Sequence, residues 1–308
     1  MGVGRGGCVK IGGMDSFEGK IAVVTGGASG MGRQLVLQLV EAGCHVATCD
    51  LSADELNETR ALALETAPNV RVTTHLCDVS SEEAILAFRD EVVEQHETDH
   101  VHLLFNNAGL SGGGSLFTDT RASWDRCFNV CWGGVYYGTR AFLDLLVAAD
   151  ESHIVNTSSV NGFWASLGPD RPHTAYSAAK FAVKGFTEAL LTDLRVNAPH
   201  VKASVVMPGH IGTSIVQSSM RHGVNELDDE TRALMEAVNE MFRDNAPMSA
   251  AEAAAVILQG VRDDRWRILV GDDAVALDER VRADPEHAYD TMLLGDEFGD
   301  AMEQVPPV

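Results

Sequence analysis

The stretch KIAVVTGGASGMG, residues 20–32, decides how this chain folds. Its first six residues form a short apolar run that is typical of a buried strand, and an amphipathic segment from Arg33 to Glu41 follows its glycines. A strand, a glycine-rich turn and a helix in this order are typical of the start of a parallel α/β sheet. Such glycines let the backbone approach a pyrophosphate at the helix N-terminus, although a tight turn that only packs on the sheet would show the same residues.

An acidic residue favours the first of these interpretations. Asp50 ends the second predicted strand, about 20 residues after the glycines, where a carboxylate accepts hydrogen bonds from the hydroxyls of an adenosine ribose. The same carboxylate would repel a 2′-phosphate. No arginine follows Asp50 and Ser29 is neutral, so the sequence predicts NAD rather than NADP at this turn.

Strand and helix patterns alternate along the rest of the chain, which predicts βαβ units and one doubly wound parallel sheet flanked by helices, a Rossmann-like α/β fold. The predicted strands are 20–25, 45–49, 70–76, 101–105, 153–157, 202–207 and 267–270. The predicted helices are 33–41, one opening at 52, 81–97, 123–148, 174–197, 227–242 and 250–261. We interpret 1–14 as a disordered extension, 15–271 as one catalytic domain and 272–308 as an acidic extension packed on the same domain or on a neighbouring subunit.

The composition excludes several classes of function. A formal net charge of −22 argues against nucleic acid or an anionic membrane surface as partner, since both require basic patches. No apolar run approaches the roughly 18 residues of a membrane-spanning helix. The six cysteines form no Cys-x-x-Cys pair and the eleven histidines no His-Glu-x-x-His motif, so the sequence supports no metal site and suits a reducing cytoplasm.

The segment from Ser159 to Lys180 carries the candidate chemistry. In a helix from about His173, Tyr176 and Lys180 lie one turn apart on one face, so the ammonium is expected to lower the phenol pKa from its usual value of about 10. Ser159 follows a predicted strand at its carboxyl end, where open α/β sheets bind ligands. The neighbouring Ser158 is the alternative hydroxyl.

Together these motifs resemble the short-chain dehydrogenase/reductase family, over about Phe17 to Val270. The motifs that carry the resemblance, in family order, are Thr25-Gly-x-x-x-Gly-x-Gly32, Asp78, Asn106-Asn107-Ala108-Gly109, Asn129, Ser159, Tyr176, Lys180, Pro208-Gly209 and Thr213. The residues that the resemblance implies at the cofactor site are Gly26, Ser29, Gly30, Met31, Gly32, Asp50, Leu51, Asp78, Val79, Asn106, Ala108, Gly109, Tyr176, Lys180, Pro208, Gly209, Ile211 and Thr213.

The resemblance also implies a mechanism with four residues. Tyr176 would transfer a proton to or from the substrate oxygen, and Lys180 would lower its pKa and bind the nicotinamide ribose. Ser159 would hydrogen-bond the substrate oxygen. Asn129 would hold a water that links Lys180 to solvent as a proton relay, unless it is only a polar residue that bends its helix.

The sequence departs from the family pattern between Ser159 and Tyr176, where the gap is longer by about four residues. We expect Val160, Phe163 and Trp164 beside the substrate pocket, with simple packing as the alternative for the two aromatic rings. His210 is a candidate substrate contact or a solvated loop residue. A lid at 210–242, with Met220, Met235, Met241 and Phe242, favours a bulky, largely apolar secondary alcohol or ketone.

Three interpretations follow: an NAD-dependent alcohol dehydrogenase, an NADPH-dependent carbonyl reductase, and a regulatory protein that senses dinucleotides without turnover. Asp50 argues against the second, and the four candidate catalytic residues argue against the third. The cysteine pattern predicts a cytoplasmic protein, and the resemblance further implies a homo-oligomer, a tetramer or dimer, formed through the two longest helices.

Overall fold

A seven-stranded parallel sheet forms the centre of the computed structural model, which describes residues 14–112, 114–165, 172–213, 240 and 243–289. Its strands are β1 (Ile21–Thr25), β2 (His45–Asp50), β3 (Val72–Leu76), β4 (Leu103–Asn106), β5 (Ser152–Thr157), β6 (Val201–Pro208) and β9 (Arg267–Val270). A separate parallel pair is formed by β7 (Ile211–Gly212) and β8 (Met248–Ser249). The predicted fold class is confirmed.

The order of the strands places the site. It runs β3-β2-β1-β4-β5-β6-β9, so the chain winds outward in one direction from β1 and in the other from β4. Every neighbouring pair in this sheet is parallel. The carboxyl ends therefore share one edge, and a crevice opens there between β1 and β4, where the winding reverses.

Helices cover both faces of the sheet because each has an apolar stripe. They are α1 (Gly30–Glu41), α2 (Ala53–Thr66), α3 (Glu82–His96), α4 (Arg121–Phe128), α5 (Gly134–Ala148), α6 (Thr174–Asn197), α7 (Ala250–Arg262) and α8 (Asp272–Ala283). One core cluster joins Leu35 and Leu39 of α1 to Ile257 of α7. The other joins Phe88 of α3, Phe142 of α5 and the start of β6.

The structure differs from the sequence prediction in the long helix predicted at 123–148. Helix α4 and helix α5 are separated by a π-helical turn at Asn129–Gly133. Gly134 packs so closely on Val79 that a methyl group on it would lie 2.9 Å from a Val79 methyl carbon. A wider turn of this kind changes which side chains face inward, and periodicity alone does not reveal it.

The C-terminal segment packs on the same domain as far as it is described. Leu277 of α8 and Ala288 lie in a cluster with Val205 and Met207 of β6. Asp278 accepts hydrogen bonds from Arg267 of β9 and from Arg282. Residues 1–13 of the predicted N-terminal extension, the tail beyond 289 and the predicted lid residues Met220, Met235, Met241 and Phe242 lie outside the described residues, whereas Met14 is buried in the core. None of the helices that the structure describes combines the length and apolarity that crossing a membrane requires.

Candidate active site

The turn after β1 is built from backbone that tolerates no side chains. Gly26 has a φ of +73°, and a methyl group on it would lie 2.8 Å from the Ala108 Cα. On Gly32, the same group would overlap the Gly26 carbonyl oxygen. Gly30, with a φ of +52°, begins α1, so its peptide and those of Met31 and Gly32 lie at the helix N-terminus. This bare turn has the chemistry and the room that a dinucleotide pyrophosphate requires.

Hydrogen bonds between Thr25 of β1 and the segment after β4 hold the turn in place. The Thr25 hydroxyl oxygen accepts hydrogen bonds from the backbone N–H groups of Asn107 and Ala108, both at 3.0 Å. The Asn107 amide donates to the Thr25 carbonyl at 3.1 Å. The motif after β4 thus braces the motif after β1 across the crevice.

Asp50 lies at the carboxyl end of β2 beside this turn. One carboxylate oxygen accepts from the Ala28 N–H at 3.2 Å and the other from the Leu51 N–H at 2.7 Å. Leu51 itself is exposed, and Ser29 is the N-cap residue of α1. The carboxylate is half-buried and adjoins the crevice, a position from which it could accept hydrogen bonds from ribose hydroxyls.

Arg33 is a nearby cation that the sequence interpretation did not include, because that interpretation considered only Ser29 and the residues after Asp50. Its guanidinium donates to the Ala28 carbonyl at 2.8 Å and pairs with Glu58 of α2 at 2.8 Å. The positive charge therefore already has an anionic partner. Its position one residue after the glycines was the signal that could have found it.

The remaining residues expected at the adenosine side lie at the ends of β3 and β4. Val79 is buried against Gly134, and Asp78 is exposed, with its carboxylate accepting from the Ser80 backbone N–H and hydroxyl. Asn106 instead enters the core: its amide donates to Thr139 at 3.1 Å and to Asn156 at 2.8 Å. Its side chain therefore supports the sheet.

The loop after β6 returns to the glycine turn. A methyl group on Gly30 would lie 3.3 Å from the Thr213 Cβ, so Thr213 borders the predicted phosphate position. Ile211 is buried in the core, and the His210 backbone N–H donates to Asp273 of α8 at 2.6 Å. Pro208 ends β6, and Gly209 packs so closely on the Asp273 carboxylate that a methyl group there would overlap it. Helix α8 thereby positions this loop, a role that the sequence argument missed.

The two serines after β5 have different surroundings. The Ser158 hydroxyl is buried and donates to the Lys180 carbonyl at 2.7 Å, which ties β5 to α6. The Ser159 hydroxyl lies close enough to the Tyr176 phenol to lower its pKa, and it accepts from the Asn161 N–H at 3.2 Å. The structure thus brings Ser159, and not Ser158, to the tyrosine.

Tyr176 and Lys180 lie together at the base of this edge. The Lys180 ammonium lies 5.3 Å from the centre of the Tyr176 ring and donates to the Thr157 carbonyl at 2.9 Å. Burial raises the pKa of the Tyr176 phenol above its usual value, although the hydrogen bond from Ser159 opposes this rise. Burial of the phenol acts against the lowering expected from Lys180, and the role of Lys180 in lowering the pKa stays a prediction.

His173 is a further neighbour of the tyrosine, three residues before it on the same helical face. The two rings stack, with centres 4.7 Å apart and planes 18° apart. Burial lowers the pKa of His173 to about 4, so the imidazole is neutral near pH 7. Its Nδ1 is buried and has no hydrogen-bond partner among the described residues. The helical spacing was the signal that could have found it.

Asn129 makes no side-chain hydrogen bond to Ser159, Tyr176 or Lys180 among the described residues. It begins the π-turn with an exposed side chain, whereas Cys131, two residues later, is fully buried among Ala175, Tyr176 and Ala179 of α6. The relay role of Asn129 stays a prediction. The residue that the turn directs toward the tyrosine is a cysteine.

The expected substrate-side aromatic residues are also buried. Trp164 donates its indole N–H to the Ala288 carbonyl at 2.9 Å, and Phe163 packs in the same cluster, with the Arg267 guanidinium 5.8 Å from its ring centre. Val160 contacts this cluster. Both rings therefore take the packing alternative, because the C-terminal segment covers them. Contact of these residues with a substrate stays a prediction.

Comparison with known proteins agrees with this geometry. Residues 20–223 match the family model for short chain dehydrogenases. SadH of Mycobacterium tuberculosis, a presumed oxidoreductase, is 38% identical over 270 residues, which cover 87% of this chain and 92% of that protein. Levodione reductase of Leifsonia aquatica is 30% identical over 80% of this chain and 89% of its own length. A crystal structure of a short chain dehydrogenase/reductase from Burkholderia phymatum in complex with NAD superposes with a TM-score of 0.78 at 28% identity, over 89% of this chain and 96% of that one.

Proposed function

This chain belongs to the short-chain dehydrogenase family of oxidoreductases, and from that premise we propose that it transfers a hydride between NAD and a secondary alcohol or ketone. The observation that carries the proposal is the meeting of Ser159, Tyr176 and Lys180 at the carboxyl edge of the sheet. Two hydroxyls, one of them buried beside an ammonium, are the groups required to hold and protonate a carbonyl oxygen.

The proton chemistry belongs to Tyr176. When bound, the nicotinamide would accept a hydride from an alcohol in its oxidised form and donate a hydride to a ketone in its reduced form. With a raised pKa, the phenol is protonated at neutral pH and can donate from its Oη to a ketone oxygen, and in the opposite direction it must first lose that proton. The Ser159 Oγ holds the substrate oxygen, and burial of both groups excludes water that would weaken these hydrogen bonds.

Three observations support NAD over NADP. The Asp50 carboxylate adjoins the turn where the adenosine ribose is expected. Arg33, the nearest cation to that turn among the described residues, is paired with Glu58. The Burkholderia phymatum relative contains NAD in its structure. A 2′-phosphate would meet an anion here, and the residues that the structure describes place no free cation beside it to offset the repulsion.

We also propose a bulky, largely apolar substrate. With Phe163 and Trp164 buried, the support comes from Leu110, Trp124 and Phe128, which are partly buried around the cluster that contains Tyr176. One relative is named for the reduction of levodione. A panel on which the enzyme turns over only small polar polyols would reject this part of the proposal.

A homo-oligomer formed through α5 and α6 is proposed on similar grounds. Tyr136 of α5 and Phe181 of α6 are about 40% exposed, so each of these helices presents a large apolar side chain that a neighbouring subunit could cover. Light scattering should show a dimer or tetramer that Phe181→Glu dissociates.

The primary test is the absorbance of reduced nicotinamide during incubation with NAD or NADP and a panel of bulky secondary alcohols. We expect turnover with NAD, and a loss of roughly 10²–10⁴-fold in kcat for Tyr176→Phe, because the variant retains the ring and loses the proton. Binding of NAD without turnover on any alcohol or ketone would favour the sensing protein. Preference for NADP would overturn the role given to Asp50.

A further inference from the structure

Two buried cysteines lie against α6, the helix that carries Tyr176 and Lys180. Cys127 lies in the last turn of α4 and Cys131 lies in the π-turn, and both are fully buried in a cluster with Ala175, Tyr176 and Ala179 of α6. No role in the proposed reaction accounts for either thiol.

Only one of the two thiols is tied to the crevice. The Cys131 Sγ lies 3.3 Å from the Leu110 carbonyl oxygen, a hydrogen-bond distance for a thiol donor. Leu110 directly follows Gly109, the last residue of the motif after β4. The contact therefore joins the π-turn to the backbone that borders the crevice.

The same backbone separates Cys131 from the catalytic lysine. A methyl group built on Gly109 would lie 3.8 Å from the Cys131 Sγ and 3.5 Å from the Lys180 Nζ. Thiol and ammonium thus approach one short piece of backbone. A shift of the Gly109–Leu110 backbone would change the positions open to the Lys180 and Tyr176 side chains.

The π-turn determines the direction in which the Cys131 side chain points. It widens the helix between α4 and α5, so that Asn129 faces solvent and Cys131 faces α6. A residue in an insertion of this type often serves a functional site. Here that residue has a contact with the Cys127 thiol and a contact with the Leu110 carbonyl, and only the second ends on the crevice.

We propose that Cys131 is a positioning residue for the reaction, since its thiol donates to the Leu110 carbonyl and thereby holds the Gly109–Leu110 backbone against Lys180. This inference rests on the proposed function for its catalytic consequence. The contact itself has a readout that does not depend on turnover.

The experiment compares Cys131→Ala, Cys131→Ser and Cys127→Ala. We expect Cys131→Ala to lower kcat about tenfold, the effect of losing one hydrogen bond of ordinary strength, while the Kd for NAD stays within about threefold. Cys131→Ser retains a donor and should restore most of kcat. Cys127→Ala removes a thiol from the same buried cluster and should retain kcat, so it controls for general loss of packing.

Hydrogen exchange supplies the second readout, measured on a peptide that covers residues 106–112 in all three variants without added nucleotide. Faster exchange in Cys131→Ala, with wild-type exchange in Cys131→Ser and Cys127→Ala, is expected. Unchanged exchange in Cys131→Ala, or equal effects of Cys127→Ala and Cys131→Ala, would overturn the inference. If wild type binds NAD but turns over no alcohol or ketone, the proposed function fails, and the exchange result still decides the role of Cys131.

Discussion

The two halves of the crevice are built in different ways. At the end of β1 the site is backbone: glycines at 26, 30 and 32 leave room that any side chain would fill. At the ends of β5 and β6 the site is made of side chains from several elements, with Ser159, Tyr176 and Lys180 held by contacts to α6 and to neighbouring loops. The first half follows from a short local motif, and the second depends on packing between segments far apart in the chain.

The strongest test of this comparison is a single methyl group in the backbone half. In Gly32→Ala the new methyl would overlap the Gly26 carbonyl and lie 2.7 Å from the Asn107 amide, so the turn must shift. We expect the affinity for NAD to fall by about 100-fold, the size of effect that follows a shift of about 1 Å in a ligand cradle. Quenching of tryptophan fluorescence by NAD measures it.

The matched control is Gly185→Ala in α6, where a methyl group meets nothing within 4 Å. This variant should bind NAD as wild type does, with equal or slightly greater stability, since alanine favours helix more than glycine. Circular dichroism would show that Gly32→Ala is folded. Wild-type affinity in a folded Gly32→Ala protein would mean that the backbone half tolerates side chains and that the comparison fails.

The second test addresses the side-chain half and uses two adjacent serines. Ser159→Ala should lower kcat/KM roughly 10²–10³-fold, because it removes a hydrogen-bond donor from the position of the substrate oxygen. Ser158→Ala should retain turnover within about threefold and lose about 1 kcal/mol of stability, the value of its bond to the Lys180 carbonyl.

Steady-state kinetics and thermal unfolding separate these two variants. Similar kinetic losses in both would show that the two hydroxyls act as one structural unit. A loss confined to Ser158→Ala would move the catalytic role to the serine that the structure ties to α6.

The smallest expected effect is the pH dependence of the free energy of unfolding that arises from His153, a buried residue of β5. Burial between β5 and β6 lowers the pKa of His153 to about 3, and its Nε2 lies 2.6 Å from the Ser204 hydroxyl. The unfolded chain takes up this proton near pH 6.5 and the folded one does not, so the stabilisation is present above pH 6.5 and is lost as the pH falls toward 3. Between pH 6.5 and 5 we expect His153 alone to cost roughly 1–2 kcal/mol.

Chemical denaturation at several pH values measures this slope, with His153→Gln as the comparison, because glutamine retains a donor and does not titrate. The variant should lose less stability on acidification than wild type. Since burial also lowers the pKa values of His96, His102 and His173, a residual slope is expected in both proteins. Identical slopes would show that His153 takes up its proton without cost in the folded state.

The sequence by itself determined the α/β fold, the glycine turn, Asp50 at the end of β2 and the shared helical face of Tyr176 and Lys180. Each of these depends on residues close together in the chain, where the periods of strand and helix and the bareness of glycine act directly. For the same reason the seven strands of the sheet were all predicted, with small differences at their ends.

For two pairs of residues that are close in the chain, only the tertiary structure decided which side chain faces the site. Ser159 and not Ser158 reaches the phenol, and Cys131 and not Asn129 reaches the catalytic helix. The C-terminal segment covers Trp164, which the sequence had placed beside a pocket. These outcomes depend on a π-turn, on a strand end and on contacts more than 100 residues apart, and the physical reason is that burial and hydrogen bonding act between surfaces that exist only after the chain has folded.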